Sequence, residues 1–157
     1  MRYILPILVL AALVMFPQRA YCAQSLAISF VEYDDEGGHS LSRQLVEPES
    51  HKHLFMAVNA VLDALFSLDL PNTYPYPEGI QVLSTHYIRG HLTVTVSDEI
   101  AAFGGGSMLE RIYLGQMLKT LLDIEGVERV SIIANTPEGI SVRESGCWRE
   151  LMNGVVS

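Results

Sequence analysis

Between residues 54 and 97 the spacing of apolar residues switches from a helical period to an alternating one. Leu54, Val58, Val61, Leu62, Leu65 and Leu68 recur at intervals of three and four, with Phe55 and Phe66 at the margins and Asn59, Asp63 and Ser67 on the other side. That pattern predicts a helix with one buried face, lying on a sheet. From Gln81 to Ser97 the period becomes two, interrupted by Arg89-Gly90. Taken as a two-residue turn, Arg89-Gly90 pairs Tyr87 with Leu92, Thr85 with Val94 and Leu83 with Val96 on an apolar face. His86 with Thr93 and Ser84 with Thr95 then share a polar face. A helix and a hairpin that each bury one face must cover one another.

The flanking segments repeat this alternation. Leu26–Tyr33 reads as a strand, Asp34-Asp35-Glu36-Gly37-Gly38 as a polar turn, and Ser40–Val46 as the returning strand. Glu47, Pro48, Glu49 and Ser50 carry start signals for the first helix. In "FGGGSMLERIYL", Ser107 and Glu110 have capping-box spacing at the head of a second helix that runs to about Asp123 and stops at Glu125-Gly126. Tyr113, Leu114, Met117, Leu118, Leu121 and Leu122 fill its apolar half, and Gly115, Gln116, Lys119, Thr120 and Asp123 its expected wet half. Met108, Leu109 and Ile112 break that division and require a second cover. The cover is either the apolar cluster Cys147, Trp148, Leu151 and Met152 of the chain's own tail or another protein. Val127–Ala134 reads as a strand, Pro137-Glu138-Gly139 as a turn and Ile140–Arg143 as a short last strand. The order ββαββαββ predicts an α+β domain: a mainly antiparallel sheet with two helices on one face.

Residues 1–22 stand apart. Arg2, the apolar run Ile4–Phe16 and the small residues around Cys22-Ala23 form a secretory signal, too short for a membrane span. Acylation of Cys22 is the alternative, and the charged Arg19 and bulky Tyr21 before it argue against a lipoprotein. Cleavage would remove Arg2 and Arg19 and move the formal charge from −8 to about −10. So acidic a body gains nothing from a nucleic-acid backbone. Only Cys147 would remain, which excludes an internal disulfide and leaves a small buried residue or an intermolecular bridge.

Familiar chemical motifs are absent. Gly104-Gly105-Gly106 is followed by Ser107-Met108 where a phosphate loop needs Lys-Ser/Thr, and contiguous glycines do not make the spaced dinucleotide fingerprint. The acidic turn at Asp34 lacks the ligand spacing of a calcium loop. His51 and His53 stand two apart, about 200° around a helix, and His86 and His91 on the hairpin have no third ligand. No catalytic, cofactor or metal site is expected.

A family resemblance rests on "IQVLSTHYIRGHLTVTVSDEIAAFGGGSMLERIYLGQMLKTLLDIEGVERVSIIAN", Ile80–Asn135. A hairpin ending in valines and Ser97, a Gly- and Ser-containing loop, a helix carrying Gln116, Thr120 and Leu121, and Gly126-Val127 before a strand resemble the second half of a GerMN domain, the sporulation and spore-germination module. The first half fits through its strands, Arg43 and the helix "AVNAVLDALF", so the likeness covers about Leu26–Asn135. Members typically carry Leu-x-x-Gly-Pro after the first helix, where this chain has Leu68-Asp69-Leu70-Pro71.

The resemblance implies a non-enzymatic, extracytoplasmic domain, similar in fold to ring-building modules, with a tail at residues 136–157. It would contact proteins of the bacterial envelope and possible further copies of itself. Phe103, Met108, Leu109 and Ile112 are the candidate contact residues. The competing expectation is a small secreted hydrolase or ligand-binding protein built on His51, His53, His86 and His91.

Overall fold

A computed structural model describes residues 25–46, 53–101, 106–136 and 139–144. Among these residues, six strands and two helices follow the expected order: β1 (Leu26–Tyr33), β2 (His39–Val46), α1 (Leu54–Phe66), β3 (Val82–Ile88), β4 (His91–Val96), α2 (Gly106–Leu122), β5 (Arg129–Thr136) and β6 (Gly139–Glu144). The fold class is α+β. The strands divide into a β1–β2 hairpin and a four-stranded sheet ordered β3-β4-β5-β6. All pairings are antiparallel except β4 with β5. These two run parallel because α2 carries the crossover between them, which no tight turn could do. A short 3-10 turn at Asp98–Ala101, absent from the sequence reading, begins that crossover.

The β3–β4 hairpin forms as its turn chemistry demands. Arg89 and Gly90 adopt φ of 48° and 82°, the left-handed pair of a turn whose twist suits adjoining strands. Gly90 is further constrained because a Cβ there would lie 2.9 Å from the Glu128 carboxyl group. Its carbonyl accepts from the amides of Glu128 and Arg129 at 2.8 and 3.1 Å. This junction starts β5 at Arg129, two residues later than the sequence pattern indicated. The Tyr87–Leu92, Thr85–Val94, His86–Thr93 and Ser84–Thr95 pairs are as expected, but Val82, not Leu83, faces Val96. A bulge between Val82 and Ser84 absorbs one residue and leaves Leu83 exposed.

One core joins both sheets. Leu26, Ile28 and Phe30 of β1 meet Val58, Val61, Leu62 and Leu65 of α1, then Met117, Leu118 and Leu121 of α2, then Leu92, Val94, Val130 and Ile132 of the larger sheet. Helix α1 is amphipathic as read, with Asn59, Asp63 and Ser67 exposed. It begins after His53, whose carbonyl accepts from the amides of Met56 and Ala57.

Helix α2 differs from expectation. Gln116 and Thr120, assigned to a wet face, are 1% and 0% exposed, because this side of α2 packs along the open edge of β1. The Ser29 amide donates to Thr120 Oγ1 at 2.9 Å, and the Val31 amide to Gln116 Oε1 at 3.0 Å. Two polar side chains thus stand where a neighbouring strand would be, pairing buried amides that are costly to leave unmade.

Candidate functional site

The chemistry-bearing side chains are distributed over the fold. His39 Nε2 lies 2.6 Å from Tyr74 Oη, with the two rings stacked. His91 Nε2 lies 2.8 Å from Ser131 Oγ across the β4–β5 ladder. His86 is exposed on β3 opposite Thr93, and His53 is an exposed helix-cap residue that makes no capping bond. His51 lies outside the described residues, as do Glu47–Ser50 and Cys147. The four described histidines, His39, His53, His86 and His91, therefore each have their own surroundings. Among the described residues no three His, Cys, Asp or Glu side chains come together in a way that could hold a metal ion.

An open cleft of about 350 Å³ lies beside the β1–β2 turn, lined by Glu32, Asp34, Asp35, Ser40 and Asn72 among others. Its acidic character is partly committed to the backbone. Asp34 Oδ1 accepts from the amides of Glu36 and Gly38 at 3.0 and 2.6 Å, the local bonding expected of an Asp in a turn. Asn72 takes φ of 60°, in the loop where the sequence departs from the GerMN pattern. Its carbonyl accepts from the Tyr33 amide at 2.9 Å.

The same loop is clasped onto the helices by tyrosines. Tyr76 Oη donates to the Tyr113 carbonyl at 2.8 Å, and Tyr113 Oη donates to the Pro75 carbonyl at 2.7 Å. The Tyr76 ring also packs between Phe66 and Tyr113, at centroid separations of 5.0 and 4.8 Å. Burial, and then the neighbouring Tyr113 hydroxyl, push the Tyr76 hydroxyl well above its ordinary pKa. A phenol kept neutral in this way is a structural strut.

The candidate contact residues separate. Ile112 is completely buried with Val31, with Leu109 and Tyr74 packed against them, so the second cover of α2's first turns includes β1 and the Tyr74 loop. Ile112 is not available at the surface, and Leu109 is half-buried. Met108 remains 43% exposed. Phe103 lies outside the described residues, together with Pro137-Glu138 and the tail cluster Cys147, Trp148, Leu151 and Met152; the Ser107 side chain is likewise not described. Other exposed apolar residues had not been singled out as contacts: Leu41 and Leu45 on β2, Phe55 and Met56 opening α1, and Leu83 and Ile88 on β3. Only alternation on β2 hinted at its two leucines, and alternation alone does not say which face is covered.

Among the described residues the exposed apolar side chains and the polar groups thus lie on separate parts of the fold. Among the described residues no helix is long and apolar enough to cross a membrane. Among solved structures, the chain is similar to the tandem GerMN domains of the sporulation protein GerM from Bacillus subtilis, with a TM-score of 0.54 at 15% identity. That likeness is one of fold. It covers 78% of this chain and 45% of the other, so this chain matches less than half the length of that tandem protein. No curated protein sequence matches the chain. Residues 29–136, more than half of the sequence, match Germane, described as sporulation and spore germination. The chain belongs to that family, the Germane or GerMN-type domains.

Proposed function

We propose that this protein is a non-enzymatic, extracytoplasmic binding module of the bacterial cell envelope that acts in sporulation or spore germination by contacting other proteins. The observation that carries the reading is where its buried polar side chains are used. Gln116, Thr120 and Tyr76 each bond to main-chain groups that hold the fold, whereas an enzyme brings several polar groups into one concave site. The leader-like residues 1–22 support export. Sporulation or germination comes from the family description.

Deletion of the gene is expected to impair spore formation or germination. Complementation by chains with alanine at His51, His53 or His86 should restore it fully. Loss of complementation in these folded variants, substrate turnover by the purified protein, or stoichiometric metal binding would overturn the reading in favour of a secreted hydrolase or ligand-binding protein.

A further inference from the structure

The larger sheet has two unlike sides. Leu92 and Val94 of β4 and Val130 and Ile132 of β5 join the core with both helices, so alternation assigns His91, Thr93, Ser131 and Ile133 to the other side. Over β3 and β4 that side suits water: Ser84 pairs with Thr95 and His86 with Thr93, and Ile88 is 70% exposed. Over β5 and β6 the composition reverses. The register sets Val142 opposite Ile133 and Ile140 opposite Asn135, while Ser141 and Arg143 stand opposite Ala134 and Ile132 of the core side. Apolar residues of β6 thus fall on the side away from the helices. There Ser131 is only 6% exposed and Ile133 is half-buried. A sheet side that met only water would read polar and exposed at such positions.

We propose that the chain's own tail covers this half of the sheet: residues 145–157 turn back at Gly146 and seat Trp148, Leu151 and Met152 over β5 and β6, around Ile133. Chain direction favours the tail. β6 ends at Glu144, opposite Ser131, so the tail leaves beside the strand that needs cover. The four residues from Glu144 to Trp148 reach at most about 14 Å when extended, and neighbouring strands lie about 4.8 Å apart. After a reversal, which Gly146 permits without a Cβ clash, Trp148 can therefore lie over β5. The residue pattern agrees. Trp148, Leu151, Met152 and Val155 are spaced as one stripe of a helix, with Arg149, Glu150 and Asn153 off it. One side of the tail is apolar, as the cover of an apolar half-sheet must be.

The head of α2, where Met108 is 43% exposed, lies at the far end of the sheet. β4 and β5 run parallel, with His91 beside Arg129 and Val96 beside Ala134. Helix α2 sets out from the Val96 end and returns to the Arg129 end, where the tail also starts. Met108 is about 21 Å along that helix from Leu122. A tail committed to the sheet leaves Met108 for a protein partner, whereas the seat of the tail does not itself depend on the binding-module reading.

Trp148 is the chain's one tryptophan, so its fluorescence reports on the tail alone. In protein purified from cells expressing the full chain with Cys22→Ser and Cys147→Ala, a nitroxide attached at Thr93→Cys, beside Ser131, should quench most of that emission. A nitroxide attached at Met108→Cys should leave it. Ile133→Asp should shift Trp148 emission to longer wavelength and open it to acrylamide, with the far-UV spectrum retained, and Leu83→Asp should do neither. Equal quenching from positions 93 and 108 would overturn the proposed seat. So would no quenching from position 93, which would give the half-sheet to another protein, and quenching that fades on dilution, which would give it to the tail of a second copy. If Ile133→Asp fails to fold, the two labels decide the question. Complementation decides the binding-module reading separately.

Discussion

Helices α1 and α2 lie in one core but use their polar residues differently. On α1 the pattern is simple: Val58, Val61, Leu62 and Leu65 are buried, while Asn59, Asp63 and Ser67 face water. On α2 the residues from Ile112 to Leu118 are all buried, Gln116 included, and Thr120 follows. The difference comes from position. Helix α1 meets side chains on the face of β1, whereas α2 also runs beside that strand's unpaired edge. A sheet face asks a helix for apolar area, but a sheet edge asks it for acceptors. A glutamine or threonine on a helix thus marks solvent in the first setting and a strand edge in the second.

The largest effect expected from this contrast is at the heads of the two helices. Ile112→Asp would bury a carboxylate against Val31 and Leu109, with no partner, and should cost more than about 4 kcal/mol. Phe55→Asp, at a position on α1 that is already exposed, should change stability by about 0.5 kcal/mol or less. Urea denaturation followed by circular dichroism measures both. Similar midpoints for the two variants would mean that the first turns of α2 are no better covered than those of α1.

A smaller effect isolates the acceptors themselves. Thr120→Val keeps the side-chain shape and removes the oxygen that receives the Ser29 amide, so it should destabilise by about 1–3 kcal/mol. Gln116→Leu should cost less than Thr120→Val, because Gln116 Nε2 is buried without a partner among the described residues and its removal offsets part of the loss of the acceptor. Asn59→Ala on α1 should remain within about 0.5 kcal/mol of the native chain. Hydrogen exchange adds a local readout: the Ser29 amide should lose protection in Thr120→Val before the rest of β1 does. If Thr120→Val matched Asn59→Ala in both measurements, the edge-blocking role of α2 would fail.

Local pattern made much of this fold legible. Alternation and turn residues placed β1, β2, β3 and β4, and helical spacing gave the buried face of α1. The misses were of another kind. The bulge that expels Leu83 and the start of β5 at Arg129 depend on partners distant in sequence, as does the parallel β4–β5 pairing. Gln116 and Thr120 belonged to the family resemblance, yet their side-chain type gave no sign that they face β1. Of the contact candidates, Ile112 is interior for the same reason. That β2 has β1 as its one strand neighbour among the described residues was illegible because edge status belongs to the assembled sheet, and HSLSRQLV would read the same in a central position exposed on one face.

The joint between the helices should show the contrast as a dependence on pH. Tyr76 touches α1 through the Phe66 ring, a contact with nothing to titrate, and α2 through Tyr113, by ring packing and a hydrogen bond to its carbonyl. The hydroxyl of Tyr76 is raised above its ordinary pKa chiefly by burial, so the folded chain holds this proton more tightly than the unfolded chain does. Its contribution is complete below the unfolded value near 10 and is lost as pH rises through the higher folded value. Unfolding free energy should therefore fall above about pH 10. Tyr76→Phe should lower stability at neutral pH by about 1 kcal/mol and flatten the alkaline slope. Phe66→Leu should weaken the joint at all pH values without changing that slope. An equal slope in Tyr76→Phe and the native chain would assign the alkaline loss to other groups, and leave the joint as insensitive to pH on its α2 side as on its α1 side.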